Sequence, residues 1–125
     1  MLNIGVLISS GGTNLQALID NTKNNYIDGE IKIVISNRKD AYGLIRAEKA
    51  GIEAIYIDSS DLSEEEYNKK ILRELEKRNI ELVVLAGYLK ILSKEFIQKY
   101  KRRIINIHPS LLPKFGGKGY YGDRV

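Results

Sequence analysis

Short apolar runs rich in Ile, Val and Leu take turns with longer amphipathic stretches across most of this 125-residue chain, and few folds accommodate that rhythm. The runs fall at residues 3–8, 32–36, 54–57, 82–86 and 104–107. Most are continuously apolar rather than alternating, the pattern of a strand covered on both faces. Between them lie helix candidates. Residues 14–24 put Leu15, Leu18 and Ile19 on one stripe, and residues 42–50 run into Gly51, a natural C-capping residue. Residues 64–78 carry the clearest signal: Ser63 with Glu66 three positions on makes a capping box, and Tyr67, Ile71, Leu72 and Leu75 recur at helical spacing. Ser93 caps a shorter helix through Tyr100.

Strand–helix alternation with short connections predicts βαβ units, hence an α/β fold: a Rossmann-like three-layer α/β/α arrangement with a mostly parallel sheet. The length suits one compact domain. In such sheets ligands sit beyond the carboxyl ends of the strands, near the point where strand order reverses. Function is therefore sought in the residues that follow each strand.

Composition narrows the classes. The chain has no cysteine, which excludes structural disulfides and thiolate metal sites, and no metal is expected. The opening residues Met1, Leu2, Asn3 and Ile4 lack a basic segment followed by a long apolar stretch, so no signal peptide is expected, and no apolar run approaches the roughly 20 residues of a membrane span. A cytoplasmic location with no membrane partner is the expectation. Net charge is +4, with a local cluster at Lys99, Lys101, Arg102 and Arg103. A positively charged helix end suits the helix macrodipole. One short cluster without interleaved aromatics does not make a nucleic-acid surface, so no nucleic acid is expected as partner.

After the first strand comes Ser9-Ser10-Gly11-Gly12-Thr13-Asn14, leading straight into a helix. Two glycines permit a sharp turn close to a ligand, and the free N–H groups of a first helical turn favour an anion such as phosphate. The loop lacks the third glycine of G-x-G-x-x-G and the Gly-Lys-Ser/Thr ending of a P-loop, so a plain strand-to-helix turn with a good cap stays open. Residues 117–122, Gly-Lys-Gly-Tyr-Tyr-Gly, do match G-x-G-x-x-G. They follow no strand and precede no helix, and read as a mobile glycine-rich loop.

The fourth strand runs into Ala86-Gly87-Tyr88-Leu89-Lys90-Ile91-Leu92, apolar beyond its expected end. This suits either helix packing or a wall for a flat aromatic ligand. The fifth leads into Asn106-Ile107-His108-Pro109-Ser110. Alternation puts Asn106 and His108 on one face, and His108 is the only histidine. An imidazole at a strand's carboxyl edge can exchange protons near neutral pH, and a neighbouring amide can donate to a developing oxyanion. A structural role for a lone histidine stays open beside that reading.

These motifs together resemble a known family. Ser9-Ser10-Gly11-Gly12-Thr13-Asn14-Leu15-Gln16-Ala17 resembles the opening loop of glycinamide ribonucleotide formyltransferases. Residues 106–113, Asn-Ile-His-Pro-Ser-Leu-Leu-Pro, resemble the signature of the wider formyl-folate transferase and hydrolase group, and residues 85–92 fit with their spacing to it preserved. The resemblance implies a fold of formyltransferase type and transfer of a formyl group from 10-formyltetrahydrofolate, the reduced folate co-substrate, to the amine of glycinamide ribonucleotide in purine synthesis. Gly12, Thr13 and Asn14 would hold the substrate phosphate, and Leu89, Lys90, Ile91 and Leu92 would line the pterin pocket, with Asn106 beside it. Asn106 would stabilise the tetrahedral oxyanion, and His108 would assist it and move a proton. No covalent enzyme intermediate is implied, and a homodimer stays open.

Two departures accompany the resemblance. Some bacterial members place a folate-contacting arginine at the start of the third helix, where this chain has Glu64. The family also uses a catalytic aspartate well beyond the histidine motif. Asp123 is too early and in the wrong context to replace it. The expectation is thus a single N-terminal portion, residues 1–125, of a formyltransferase domain, inactive alone. The alternatives are a phosphate-binding module without turnover and methionyl-tRNA formyltransferase, which normally has a different first loop. Formyltetrahydrofolate hydrolase usually has an extra domain ahead of the catalytic one, for which a first strand at residue 3 leaves no room.

Overall fold

The structure is a computed structural model in which residues 1–107 are described. Five strands, β1 (Leu2–Ile8), β2 (Gly29–Ser36), β3 (Ala54–Tyr56), β4 (Leu82–Ala86) and β5 (Ile104–Asn106), form one sheet in the order β3-β2-β1-β4-β5. Every pairing among them is parallel. Helices α1 (Thr13–Lys23), α2 (Tyr42–Lys49), α3 (Glu64–Lys77) and α4 (Lys94–Lys99) fill the crossovers. The expected Rossmann-like layering is present.

The alternation of β1 divides the core in two. Ile4, Val6 and Ile8 face α1 and α2 and pack with Leu15, Leu18, Ile19 and Ala47. Leu7 faces α3 and α4, in a cluster with Tyr67, Ile71, Leu72, Leu75, Phe96 and Tyr100. Burial on both faces is why β1 needs a run of apolar residues. Local signals agree with the tertiary plan. The Ser63 hydroxyl accepts from the Glu66 N–H at 3.1 Å while the Glu66 carboxylate accepts from the Ser63 N–H at 2.9 Å, so α3 begins on the expected box. α2 ends in a Schellman turn one residue past its cap: the Gly51 N–H donates to Glu48 O and the Ile52 N–H to Ala47 O, with Gly51 at φ 76°.

β5 departs from the expected continuous burial. Ile105 is 45% exposed and Asn106 is exposed as well, because β5 is the outermost strand among the described residues. The basic cluster behaves as a helix end. Lys99 pairs with Glu76 at 2.8 Å, and Arg103 donates to Lys99 O while stacking 5.2 Å from the Tyr100 ring.

β1, β2 and β3 are laid down in one direction, and the chain then returns to place β4 on the other side of β1. Strand order reverses at the β1–β4 seam, where the carboxyl ends open a crevice.

Candidate active site

Ser9 follows β1, and the chain turns through Gly12 at φ 83°, ψ 30° before α1 starts at Thr13. The sequence left open a side-chain cap here, and among the described residues none forms: Gly12 is the N-cap. The first helical bond, from the Gln16 N–H to Gly12 O at 2.7 Å, leaves the N–H groups of Thr13, Asn14 and Leu15 without a partner in the helix. They point from the positive end of the dipole, as an anion site requires. Thr13 is exposed and Asn14 half-buried, and the Asn14 Oδ1 is buried with no partner among the described residues. Only glycine fits at position 12, since a Cβ there would lie 2.9 Å from Gly43 Cα at the start of α2.

Arg46 on α2 grips the loop from behind. Its Nε–H donates to Gly11 O at 2.8 Å, its Nη1 to Gln16 Oε1 at 3.2 Å, and its guanidinium lies 5.0 Å from the Tyr42 ring centroid. In a trans peptide the carbonyl and the following N–H point in opposite directions. Drawing the Gly11 carbonyl toward Arg46 therefore turns the Gly12 N–H to the other side. The same contact sets a fixed positive charge behind the loop.

Across the seam, β4 ends at Ala86 and no helix begins until Lys94, so residues 89–92 lie in a connecting segment rather than a helical turn. Leu89 is 75% and Ile91 66% exposed, while Tyr88 and Leu92 pack into the α3–α4 cluster. The Lys90 ammonium sits 5.8 Å from the Tyr67 ring centroid. The Tyr67 hydroxyl donates to Ile57 O at 2.9 Å, and burial is the main cause pushing its pKa up to about 12.

Two buried polar side chains tie this segment down. Ser9 is 1% exposed; its Oγ accepts from the Leu89 N–H at 2.9 Å and donates to Asn37 Oδ1, beyond the end of β2. Asn68 on α3, also 1% exposed, donates to Ile91 O at 3.3 Å and accepts from the Ser93 N–H at 3.1 Å. Sequence reading missed Asn37, Arg46 and Asn68, and took Ser9 only as the first residue of the loop motif. Asn68 alone carried a readable signal, an amide on the apolar stripe that includes Ile71, Leu72 and Leu75.

Asn106 ends β5, paired in register with Leu85 of β4. Ile107 turns into the α1–α2 cluster, so alternation places Asn106 on the α3–α4 side, the side of Tyr88 and Leu92. His108, residues 109–113 and the glycine-rich residues 117–122 lie outside the described residues. Glu64 opens the first turn of α3 beside Glu65 and Glu66, an acidic start suited to the helix dipole. Among the described residues no cluster of carboxylates or histidines could hold a metal ion, and no helix is long and apolar enough to cross a membrane.

A helix start capped by Gly12 after the first strand, set across a strand-order reversal from the exposed Leu89 and Ile91, forms the carboxyl-edge crevice of a doubly wound α/β protein. Comparison with known proteins narrows this: the formyl transferase family model matches residues 2–122, and the chain belongs to that family. It is similar to the phosphoribosylglycinamide formyltransferase of Escherichia coli, 48% identical over 93% of this chain and 55% of that protein. It is 45% identical to part of the human trifunctional purine biosynthetic protein adenosine-3, over 98% of this chain and 12% of that one. The crystal structure of glycinamide ribonucleotide transformylase 1 from Symbiobacterium toebii superposes with a TM-score of 0.83 at 43% identity, covering 92% of this chain and 55% of that one. The chain spans about half the length of the bacterial relatives it matches, 55% and 59%.

Proposed function

We propose that this chain is the N-terminal portion of a phosphoribosylglycinamide formyltransferase, an enzyme of de novo purine synthesis. The observation that carries the reading is the pairing of a phosphate-type loop after β1 with an exposed apolar wall after β4, on the two sides of one seam. Gly12, Thr13 and Asn14 take the phosphate of glycinamide ribonucleotide. Leu89, Lys90, Ile91 and Leu92 take the pterin of 10-formyltetrahydrofolate. The substrate amine attacks the formyl carbon, a tetrahedral centre forms, and it collapses by breaking the bond from that carbon to the folate nitrogen. The proton lost by the amine goes to the departing nitrogen. Asn106, at the end of β5, is suited to donate from its amide to the oxyanion of that centre. His108 is assigned the proton transfer through its place in the motif.

A second reading is favoured by one observation. Among the described residues the phosphate loop is built from residues 11–46, so the chain can bind a phosphate ester without completing the reaction. A side-by-side formyl-transfer assay of this chain and of a form extended to its relatives' length, with both substrates present, separates the two. Turnover by the extended form alone, lost in His108→Ala, supports the formyltransferase portion. Turnover by neither leaves the binding module.

A further inference from the structure

Residues 89–92 have neither a helix nor a strand to hold them, yet they must keep a fixed shape to work as a wall. The only side-chain hydrogen bonds to their backbone in the described structure come from Ser9 and Asn68. One accepts from the Leu89 N–H and the other donates to Ile91 O, so the stretch hangs between two buried polar groups with Lys90 at its middle. A third bond, from the Ser93 N–H to Asn68, holds the exit into α4.

Neither residue is needed for the core as such. Ser9 lies beyond the end of β1, and Asn68 occupies a stripe position where an apolar residue would pack. A buried amide or hydroxyl costs free energy unless its bonds are made. Both make theirs chiefly to loops at the carboxyl edge: Ser9 to Leu89 and Asn37, Asn68 to Ile91 and Ser93, with a further bond back to Glu64 O at 2.7 Å. Ser9 is also the residue that leads into the phosphate loop, so one hydroxyl joins the two halves of the crevice.

We propose that Ser9 and Asn68 are positioning residues that set the shape of the 89–92 wall and through it the affinity for reduced folate. The folate consequence rests on the formyltransferase reading above; the anchoring does not. Neither residue touches the reacting atoms, and phosphate binding, which Arg46 and the helix start support separately, is left intact.

The test is amide hydrogen exchange with ligand titration on the 125-residue chain, using Ser9→Ala and Asn68→Ala. Ser9→Ala is expected to speed exchange of the Leu89 amide about tenfold while Val83 and Val84 in β4 keep their protection. Asn68→Ala is expected to do the same at Ser93. Each weakens binding of 5-formyltetrahydrofolate about fivefold or more and leaves inorganic phosphate binding unchanged. Asn37→Asp, which still accepts from the Ser9 hydroxyl, behaves as wild type. Unchanged exchange at Leu89 and Ser93 overturns the anchoring, as does acceleration shared equally by Val83 and Val84, which marks general destabilisation. A wild-type chain that takes up no 5-formyltetrahydrofolate overturns the folate reading, and the exchange pattern still decides the anchoring.

Discussion

Arg46 Nε–H and the Gly11 carbonyl oxygen lie 2.8 Å apart, joining α2 to a loop 35 residues earlier in the chain. Through that bond the Gly11 carbonyl is held toward α2 and the Gly12 N–H faces the opposite way. Arg46→Met keeps the aliphatic stem against Tyr42 but releases the carbonyl. The expected outcome is a loss of inorganic phosphate affinity of about tenfold, the order of one charge-assisted hydrogen bond, with little change in the urea midpoint. Titration of phosphate against the Gly12 and Thr13 amide resonances measures it, and equal affinity in the two proteins counts against the role of Arg46.

Gly12→Ala meets two obstacles at once. Its φ of 83° disfavours any L side chain, and the new methyl would press on Gly43 Cα. The variant should lose about 1–3 kcal/mol of stability by urea unfolding and should bind phosphate poorly. A stable variant would mean that α2 can back away from the loop.

Tyr88 offers the opposite case. Its hydroxyl is buried without a hydrogen-bond partner among the described residues, and burial, helped by neighbouring Tyr67, pushes its pKa well above the ordinary value of 10.0. Tyr88→Phe removes the unsatisfied group and leaves the ring in place. The expected change is neutral to stabilising by about 1 kcal/mol. A clear drop in unfolding temperature would show that the hydroxyl has a partner after all.

Arg78 makes the chain sensitive to acid. It pairs with Glu53 at 2.7 Å and Glu74 at 2.9 Å, and both carboxyls are held below the ordinary 4.5, chiefly by these hydrogen bonds. A lowered pKa in the folded state means the stabilisation is present above the unfolded value and is lost as pH falls through the folded one. The urea midpoint should therefore fall between about pH 5 and pH 3. Arg78→Met, with both carboxyls returned to ordinary behaviour, should fall less over the same interval. Glu66 keeps part of the slope, because the Ser63 backbone N–H lowers its pKa too.

Local signals carried most of the fold. β4 matches its apolar run to the residue, and α3 begins at its capping box. β2 starts at Gly29, ahead of the run expected from residue 32, because Gly29 and the charged Glu30 hide a ladder that Leu2↔Gly29 and Asn3↔Glu30 extend. The glycine loop and the 89–92 segment follow strands and Asn106 ends one, and that placement is what singles them out in the sequence. The bonds of Arg46 to Gly11 and of Ser9 to Leu89 were not legible there. Their partners lie 35 and 80 residues away, and only the strand order brings them together. No periodicity within a segment encodes such a meeting.

The central place of β1 also shapes how the molecule comes into being. Ile4 meets Ile31 on one side and Leu82 on the other, so one neighbour is translated soon and the other much later. Closing the longer loop costs more entropy. On the ribosome β1 can pair with β2, and β2 with β3, while the other edge of β1, with the backbone of Val6, Leu7 and Ile8, waits unpaired for β4. An open apolar edge of that kind invites strand addition from other chains. The seam that carries the candidate site is thus the last part of the sheet's centre to close, and until it does the nascent chain depends on whatever shields β1.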